Sequence, residues 1–187
     1  MAKTLKTPIQ AKDTLQFWFE KLTDKQHFAK DAALDDMIRG RFGPALEAAA
    51  RCELYAWRVT PEGALAEILV LDQFSRNVYR DSARAFAQDS LALALAQVLV
   101  ASGQDQKLSV SQRRFAYMPY MHSESALVHA QAVTLYAQPG LEDAYDFELR
   151  HQAIITRFGR YPHRNAALGR VSTAQETAFL NEPGSSF

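Results

Sequence analysis

The chain has 187 residues, 48% of them hydrophobic and 22% charged, which favours one soluble globular domain with a substantial core. Basic and acidic residues number 21 each, and the resulting net charge of zero argues against nucleic-acid or membrane partners. The single cysteine, Cys52, cannot form an internal disulfide, which fits a reducing compartment. The longest apolar stretch, Leu91 to Ala101, is far shorter than the ~20 residues that span a bilayer. We therefore expect a cytoplasmic protein in which residues 1–187 form a single helical domain, with a tail at 181–187.

Apolar residues at three- and four-residue spacing predict helices from the beginning of the chain. The pair Thr7-Pro8 matches an N-cap and a first-turn proline, and it opens a first helix that ends near Leu22. A second helix carries the apolar stripe from Leu34 to Ala49. Because proline lacks an amide hydrogen, we expect Gly43-Pro44 to bend or restart this helix.

The next two predicted helices lie in the centre of the chain. The pair Thr60-Pro61 repeats the cap-and-proline pattern and opens the third helix. The fourth helix, Ala85 to Ser102, is apolar on almost every side and is followed by Gly103, which suits a left-handed C-cap. Since a helix that is hydrophobic all round is usually buried, we predict that the fourth helix is the most buried.

Four further helices complete the predicted fold. We expect Pro119 to stop the fifth, Ser123 to cap the sixth and Gly159 to end the seventh. Thr173 and Glu176 match a capping box for the last. The predicted ranges are Val110–Tyr117, Glu124–Ala137, Leu141–Phe158 and a short segment that reaches Leu180. No segment alternates apolar and polar residues between turn pairs, so the sequence predicts an all-α fold of seven or eight helices.

The stretch from Leu71 to Arg80 ends the third helix with charged, amide and aromatic side chains. Asp72 and Arg76 are four residues apart, so a helix brings them together, and the apolar residues before them place the pair on its inner face. A buried arginine costs several kcal/mol unless charges and hydrogen bonds compensate it. We therefore predict that Asp72 pairs with Arg76 and that Arg80 has another partner.

A second stretch of the same character extends from Arg157 to Asn165. Between Glu148 and Glu176 the chain has no acidic residue but five arginines, which predicts an acidic surface elsewhere or a bound anion. Arginine suits both, because its planar fork binds a carboxylate or phosphate with two bonds. We expect Pro162 to open a short helix, ending at Gly169, whose amide groups add to an anion site. Alternatively, these arginines only tie loops together.

The histidines support a different hypothesis. His122, His151 and His163 are residue types that act as acid–base groups or metal ligands. However, the chain has no H-E-x-x-H sequence and no paired cysteines, and His151 lies on an apolar stripe where a hydrogen-bonded core histidine is common. We therefore predict no metal and no cofactor. Arginines without interleaved aromatics also argue against a nucleic-acid surface.

Together the two stretches predict one polar pocket with apolar walls, held on rigid helices. The leading interpretation is a cytoplasmic protein that binds a small anion or an acidic peptide end. The alternatives are a metal-assisted or histidine-dependent hydrolase using the same pocket, and a protein-interaction module whose arginines are structural. The candidate ligand-binding residues are Gln73, Arg76, Asn77, Arg80, His122, Glu124, Arg160, His163, Arg164 and Asn165.

Several short motifs carry a family resemblance. They are Phe17-Trp18-Phe19, Leu71 to Asn77 with Arg80, Ala85-Phe86, Met118-Pro119, His122-Ser123-Glu124, Arg157 to Asn165, Leu168-Gly169-Arg170 and Ser172-Thr173. With these motifs the chain resembles the mainly bacterial family called domain of unknown function 924. The resemblance implies antiparallel helix pairs in a right-handed array similar to tetratricopeptide repeats, and it brings no established activity. Such arrays commonly bind peptides in a groove, which supports the binding interpretation by analogy.

Overall fold

The computed structural model of the chain describes residues 9–185, and within that range it contains helices and turns but no β-strand. The predicted all-α class is confirmed. The pair Thr7-Pro8 and the last two residues of the predicted tail lie outside the described range. None of the helices within it is long and apolar enough to cross a membrane.

The predicted helices are divided into shorter segments by π-helical turns, 3₁₀ turns and loops. The α-helices are α1 (Ala11–Gln16), α2 (Asp24–Phe28), α3 (Ala32–Ala50), α4 (Pro61–Leu69), α5 (Ser75–Val78), α6 (Asp89–Ala101), α7 (Val110–Ala116), α8 (Met118–Met121), α9 (Ala126–Tyr136), α10 (Glu142–Phe158) and α11 (Ala174–Phe179). The 3₁₀ turns are Tyr55–Val59, Ala83–Phe86, Gln104–Lys107 and Pro162–Arg164, and the π-helical turns are Phe17–Lys21 and Val70–Phe74.

Local capping patterns are found where the sequence predicts them. The Thr60 hydroxyl accepts a hydrogen bond from the amide of Gly63 at 3.1 Å, and Pro61 lies in the first turn of α4. Gly103 and Gly159 follow α6 and α10 in the left-handed conformation, with φ of 68° and 70°. Thr173 forms the predicted capping box at the beginning of α11.

Three predicted breaks differ from the structure. Pro44 lies inside the uninterrupted helix α3, and the residue four positions earlier is Gly40, which has no side chain to crowd the proline ring. Pro119 does not end the helical chain but occupies the first turn of α8, where a missing amide hydrogen is harmless. The segment after Pro162 forms only a single 3₁₀ turn.

A fourth difference concerns the beginning of α9. The N-cap is Ser125 and not Ser123, whose hydroxyl instead accepts a hydrogen bond from the Ser125 amide at 3.2 Å. The predicted sixth helix therefore begins two residues later than expected, at Ala126. As a result, Ser123 and Glu124 lie in a loop between α8 and α9.

The most buried part of the chain is α4 and not α6, so the prediction for Ala85–Ser102 is wrong. Every residue from 63 to 75 is buried, whereas only Ala92, Ala96 and Leu99 are buried in α6, and Val98 is 67% exposed. α4 is buried because α1, the turn Tyr55–Val59, α6 and α7 all pack against it. At Gly63 the approach is so close that a Cβ would lie 1.9 Å from the Trp57 carbonyl oxygen. An apolar composition alone does not show which helix the others cover.

The two π-helical turns pack against each other in the core. The ring centroids of Phe17 and Phe74 are 6.1 Å apart, and those of Trp18 and Phe74 are 5.6 Å apart. The turn Val70–Phe74 is fully buried and carries Asp72 and Gln73. A rigid core element therefore presents these polar side chains to the site.

The C-terminal part of the chain packs on α10 in a second, smaller core. Ile154, Ile155, Tyr161 and Phe179 form this cluster, and Phe158 packs against it. α10 in turn packs against the preceding helix α9. The packing brings the second polar stretch back towards the centre of the molecule. The tetratricopeptide-like array of helix pairs stays a prediction.

Candidate functional site

A cavity of about 580 Å³ opens among the buried helices and the segment after α10. Its apolar wall includes the exposed rings of Phe28 and Phe147 and the thioethers of Met118 and Met121. Among the described residues, five cationic side chains line it against one carboxylate, Asp81. The five cationic residues are Lys30, Arg76, Arg80, Arg114 and Arg164. The cavity therefore combines apolar surface with an excess of positive charge.

Most of the predicted site residues line this cavity. They are Gln73, Arg76, Asn77, Arg80, His122, His163 and Arg164. Glu124 lines an adjoining cavity of about 260 Å³, which shares His122 and Arg164 with the larger one. Arg160 and Asn165 line neither cavity. The structure thus brings the two polar stretches together and leaves part of the second stretch outside the wall.

Asp89, the first residue of α6, joins the two stretches. Both of its carboxylate oxygens accept hydrogen bonds from Arg76, at 2.9 and 3.0 Å, and Oδ2 also accepts one from Arg164 at 3.2 Å. We call Arg76, Asp89 and Arg164 the Asp89 junction. Nothing in the local sequence around Asp89 marks it, because its partners are 13 residues before it and 75 residues after it.

Asp72 is the second partner of Arg76, as the four-residue spacing predicts. Its carboxylate lies 3.2 Å from Arg76 Nη1, and its backbone oxygen accepts from the same nitrogen at 2.7 Å. Gln73 donates to the carboxylate at 2.6 Å, and His122 Nδ1 lies 2.7 Å from it. Burial alone would raise the pKa of Asp72, but Arg76 and His122 outweigh it and hold that pKa below its usual value.

Arg164 is the most buried of the five cations on the cavity wall. Its side chain is only 7% exposed, and its Nε is buried with no hydrogen-bond partner within residues 9–185. The guanidinium lies 4.7 Å from the ring centroid of Phe86 and 4.5 Å from that of Tyr161. Burial, and then repulsion by Arg76, lower the pKa of Arg164. It therefore has N–H donors to spare beside both cavities.

Arg80 and Asn77 have structural partners although they line the cavity. Arg80 binds Asp35 through Nε and Nη2, at 2.6 and 2.8 Å, and Asn77 donates to the same carboxylate at 2.8 Å. These bonds tie α5 and the turn after it to α3. The sequence predicts only that Arg80 has another partner. The structure identifies this partner as Asp35, 45 residues earlier in the chain.

The remaining candidates form a separate structure, which we call the C-terminal clasp. Arg160 binds Glu176 through two bonds, of 2.6 and 2.8 Å, and Asn165 binds Ser172. Glu124 receives two bonds from Arg170, at 2.6 and 2.9 Å. The clasp consists of Arg160, Asn165, Arg170, Glu124, Ser172 and Glu176. For Arg160 and Asn165 the structure supports the alternative that the arginines tie loops together.

Four of the histidines, His27, His122, His151 and His163, line the larger cavity, and burial lowers the pKa of each. Burial lowers the pKa of His151 to about 3, although the Phe147 carbonyl oxygen, 2.7 Å from its Nδ1, opposes the shift. Burial and Arg164 lower the pKa of His163 to about 4. Burial and Arg76 also lower the pKa of His122. No three His, Cys, Asp or Glu side chains within residues 9–185 converge as metal ligands would.

The sequence reasoning missed a buried pair beside the site. His129 Nδ1 lies 2.6 Å from Glu148, both side chains are fully buried, and His129 Nε2 bonds the Ser123 carbonyl oxygen at 2.9 Å. Burial raises the pKa of Glu148. The pair connects α9, α10 and the loop after His122. Only the matching of two distant residues could have revealed it, since neither has a local partner.

The comparisons with known proteins agree with this fold. The sequence matches the family described as "Bacterial protein of unknown function (DUF924)" over residues 14–184. The chain is similar to the solved structure of a protein of unknown function, ATU0120 from Agrobacterium tumefaciens, with 38% sequence identity and a TM-score of 0.87. The match covers 91% of this chain and 96% of the Agrobacterium chain. No curated protein matches the chain. The chain therefore belongs to the bacterial family of unknown function DUF924.

Proposed function

We propose that the chain binds a small organic anion, a carboxylate on an apolar body, in the 580 Å³ cavity. The carrying observation is Arg164, a buried guanidinium on the cavity wall whose one hydrogen bond within residues 9–185 is the bond to Asp89. A buried cation costs several kcal/mol unless other groups compensate it, and here the compensation is one shared carboxylate and the faces of two aromatic rings. A ligand carboxylate would supply the missing acceptors with charge-assisted bonds.

The charges on the cavity wall favour an anion over a neutral ligand. Arg76 and Arg80 are neutralised by Asp72, Asp89 and Asp35 from behind the wall. Arg114 has its Nε buried without a hydrogen-bond partner in the described part of the chain, and its guanidinium lies 5.1 Å from the ring centroid of Phe28. The positive charge that remains on the wall thus exceeds what Asp81 can balance.

The apolar wall indicates what the anion carries. Phe28, Phe147, Met118 and Met121 surround a volume within the ~300–1,000 Å³ typical of small-molecule sites. Thioethers and aromatic rings bind alkyl or aryl groups by burial of apolar area. An inorganic anion would leave this surface in water. An acidic peptide end carries the same carboxylate, and it is the alternative ligand that the experiment must separate.

Thermal unfolding with added carboxylates tests the proposal. Octanoate and phenylacetate should stabilise the protein more than acetate or phosphate do, and octanol and octylamine should have no effect because they lack the anion. A ligand present at ~100 times its Kd adds about 2.7 kcal/mol, which corresponds to a rise in Tm of roughly 5–10 °C for a domain of this size. A peptide with a free acidic C-terminus that outperforms octanoate would favour the peptide alternative.

A matched pair of variants locates the binding. Arg164→Met should abolish the response to octanoate, because it removes the unused donors and keeps an apolar side chain of similar length. Arg160→Met changes the same residue type four positions earlier, outside both cavities, and should keep the response. Equal stabilisation by octanol, or an undiminished response in Arg164→Met, would contradict the proposal.

A further inference from the structure

His122 lies where the two cavities adjoin, as do Phe86 and Arg164. Its ring lines both the 580 Å³ cavity and the adjoining 260 Å³ cavity, and Nδ1 lies 2.7 Å from Asp72. Nε2 makes no hydrogen bond to protein within residues 9–185. A histidine with one nitrogen on a buried carboxylate and the other without a protein partner has the arrangement of an oriented base.

The Asp72 carboxylate determines which nitrogen carries the proton. Asp72 is buried and accepts from Gln73 and Arg76 as well as facing His122. An ionised carboxylate only accepts hydrogen bonds, so His122 Nδ1 carries the hydrogen and Nε2 presents its lone pair. The lowered pKa values of both residues agree with an ionised Asp72 and a neutral His122 near pH 7.

Arg164 provides the complementary charge beside this base. It too lines both cavities, and it is linked to His122 through Asp89, Arg76 and Asp72. A carbonyl group placed between the cavities would have a base for water on one side and unused guanidinium donors for its oxygen on the other. Donors set in advance in a buried site are the usual means of stabilising a developing oxyanion.

We infer that the Asp72–His122 pair is a general-base centre, and that the chain hydrolyses a carboxylic ester whose acyl part occupies the larger cavity. The inference rests on the proposed function, since the carboxylate released by such a reaction is the anion that the cavity binds. The smaller cavity then receives the alcohol part, and its wall offers the polar groups of Ser90, Ser123 and Glu124.

The reaction balances with water alone. His122 Nε2 accepts a proton from water while the water oxygen bonds to the ester carbon, and the carbonyl electron pair moves to an oxyanion held by Arg164. The oxyanion collapses, the bond from carbon to the alcohol oxygen breaks, and the imidazolium returns its proton to that oxygen. One ester and one water yield one carboxylic acid and one alcohol. Asp72 is a positioning residue in this scheme, because it touches only His122 and its own neighbours.

Hydrolysis of p-nitrophenyl acetate, butyrate and octanoate by the full chain tests the inference. The wild-type protein should release p-nitrophenol faster than protein-free buffer, and fastest from the longer acyl chains that fill the apolar wall. His122→Gln should lower kcat/KM by about 10²–10⁴-fold, the usual contribution of general acid–base catalysis. It should still be stabilised by octanoate, because Arg164 is untouched. Arg160→Met should keep the wild-type rate.

The pH profile separates a positioning role of Asp72 from a purely structural one. Charged or titratable groups around His122 are Asp72, Arg76, Asp89, His151 and His163, and Glu124 and Arg164 line the smaller cavity together with it. The wild-type kcat/KM should rise with pH as His122 loses its proton. Because Asp72 raises the pKa of His122, Asp72→Asn should lower the rate and also move this rise to lower pH. A structural defect would reduce the amount of active protein without moving the rise.

The outcomes distinguish this inference from the proposed binding function. Stabilisation by octanoate together with no ester hydrolysis above buffer would overturn the inference and leave binding intact. Hydrolysis by His122→Gln at the wild-type rate would overturn it as well. Hydrolysis that depends on His122, without stabilisation by any carboxylate, would support the catalytic centre and overturn the proposal that the cavity retains the anion.

Discussion

The Asp89 junction and the C-terminal clasp contain arginines from the same short stretch of sequence, yet their hydrogen bonds differ. In the clasp, Arg160 has two bonds to Glu176 and one to the Val171 carbonyl oxygen. Arg164, four residues later, has one bond of 3.2 Å to a carboxylate that already serves Arg76. One arginine is therefore satisfied by the protein, and the other keeps donors for something else.

This difference shows that an arginine-rich stretch is not a functional unit by itself. No acidic residue lies between Glu148 and Glu176, so the arginines of that interval need carboxylates from elsewhere. In the clasp, Glu124 and Glu176 balance their positive charge. At the junction the positive charge is not fully balanced, because Asp89 is shared by two arginines. The unused donors, and not the number of arginines, distinguish the candidate site from the structural region.

The largest expected effect is on Arg76, the junction arginine that is fully paired. Arg76→Ala should lower the free energy of unfolding by about 3–5 kcal/mol, because it leaves the buried Asp72 without its main cation and Asp89 with only Arg164. Chemical denaturation followed by circular dichroism measures the change. Arg51→Ala, which removes only an exposed ion pair with Glu53, is the control and should cost much less. A similar loss in both variants would contradict the description of Arg76 as a buried strut.

A direct comparison of the two regions comes from the same substitution in each. Arg170→Met should cost about 2–3 kcal/mol, because it removes both bonds to Glu124 and a bond to the Tyr161 carbonyl oxygen. Arg164→Met should cost less than about 1 kcal/mol or stabilise the protein, because an apolar side chain replaces a buried cation with one weak bond. Denaturant midpoints with unchanged m-values would measure this contrast. Equal losses would remove the distinction between the regions.

The effect that is smallest near neutral pH is the pH dependence of stability. His163 has a folded pKa of about 4 against an ordinary value of 6.5, so below pH 6.5 the unfolded chain takes up a proton that the native state refuses. The contribution of His163 to the free energy of unfolding is therefore fully present above pH 6.5. It falls by about 1.4 kcal/mol per pH unit as the pH decreases towards 4. His163→Gln should remove this part of the slope, as measured by unfolding at a series of pH values.

The control for this prediction lies in the clasp. Burial would raise the pKa of Glu124, but the bonds from Arg170 outweigh it and lower that pKa below its ordinary value of 4.5. The contribution of the ionised Glu124 to the free energy of unfolding is present above pH 4.5 and is lost at lower pH. Glu124→Gln should therefore leave the slope between pH 6.5 and 4.5 unchanged. A change of that slope in Glu124→Gln, with none in His163→Gln, would show that the slope originates in the clasp and not at His163.

The sequence predicted those features that depend on near neighbours along the chain. The capping box of Thr173, the left-handed Gly159 and the Asp72–Arg76 pair each involve residues within four positions or a single residue's backbone preference. The sequence also predicted that the two polar stretches meet, and residues of both line one cavity. The binding role of these residues stays a proposal. Short-range chemistry was sufficient for the capping box, for Gly159 and for the Asp72–Arg76 pair.

Features that depend on distant partners could not be predicted in the same way. Asp89 has no local pattern that points to Arg164, and Arg160 could not be separated from Arg164 without knowing the position of Glu176 relative to each. The error on α6 has a related cause, because the number of leucines in a helix does not reveal what packs over them. α4 is buried because four other elements pack around it, and the hydrophobicity of its residues does not reveal these neighbours.

The π-helical turn Val70–Phe74 allows the chain to vary in length next to the cavity without losing the direction of its arginines. Such a turn holds one residue more than α-helical hydrogen bonding would. Because the wider turn rotates the chain less per residue than an α-helix does, the added residue is absorbed within the turn and the helix after it keeps its direction. Deletion of one residue there would therefore leave a regular helix that still directs Arg76 and Arg80 towards the wall. Related chains with a one-residue gap at this turn would be expected to keep the site.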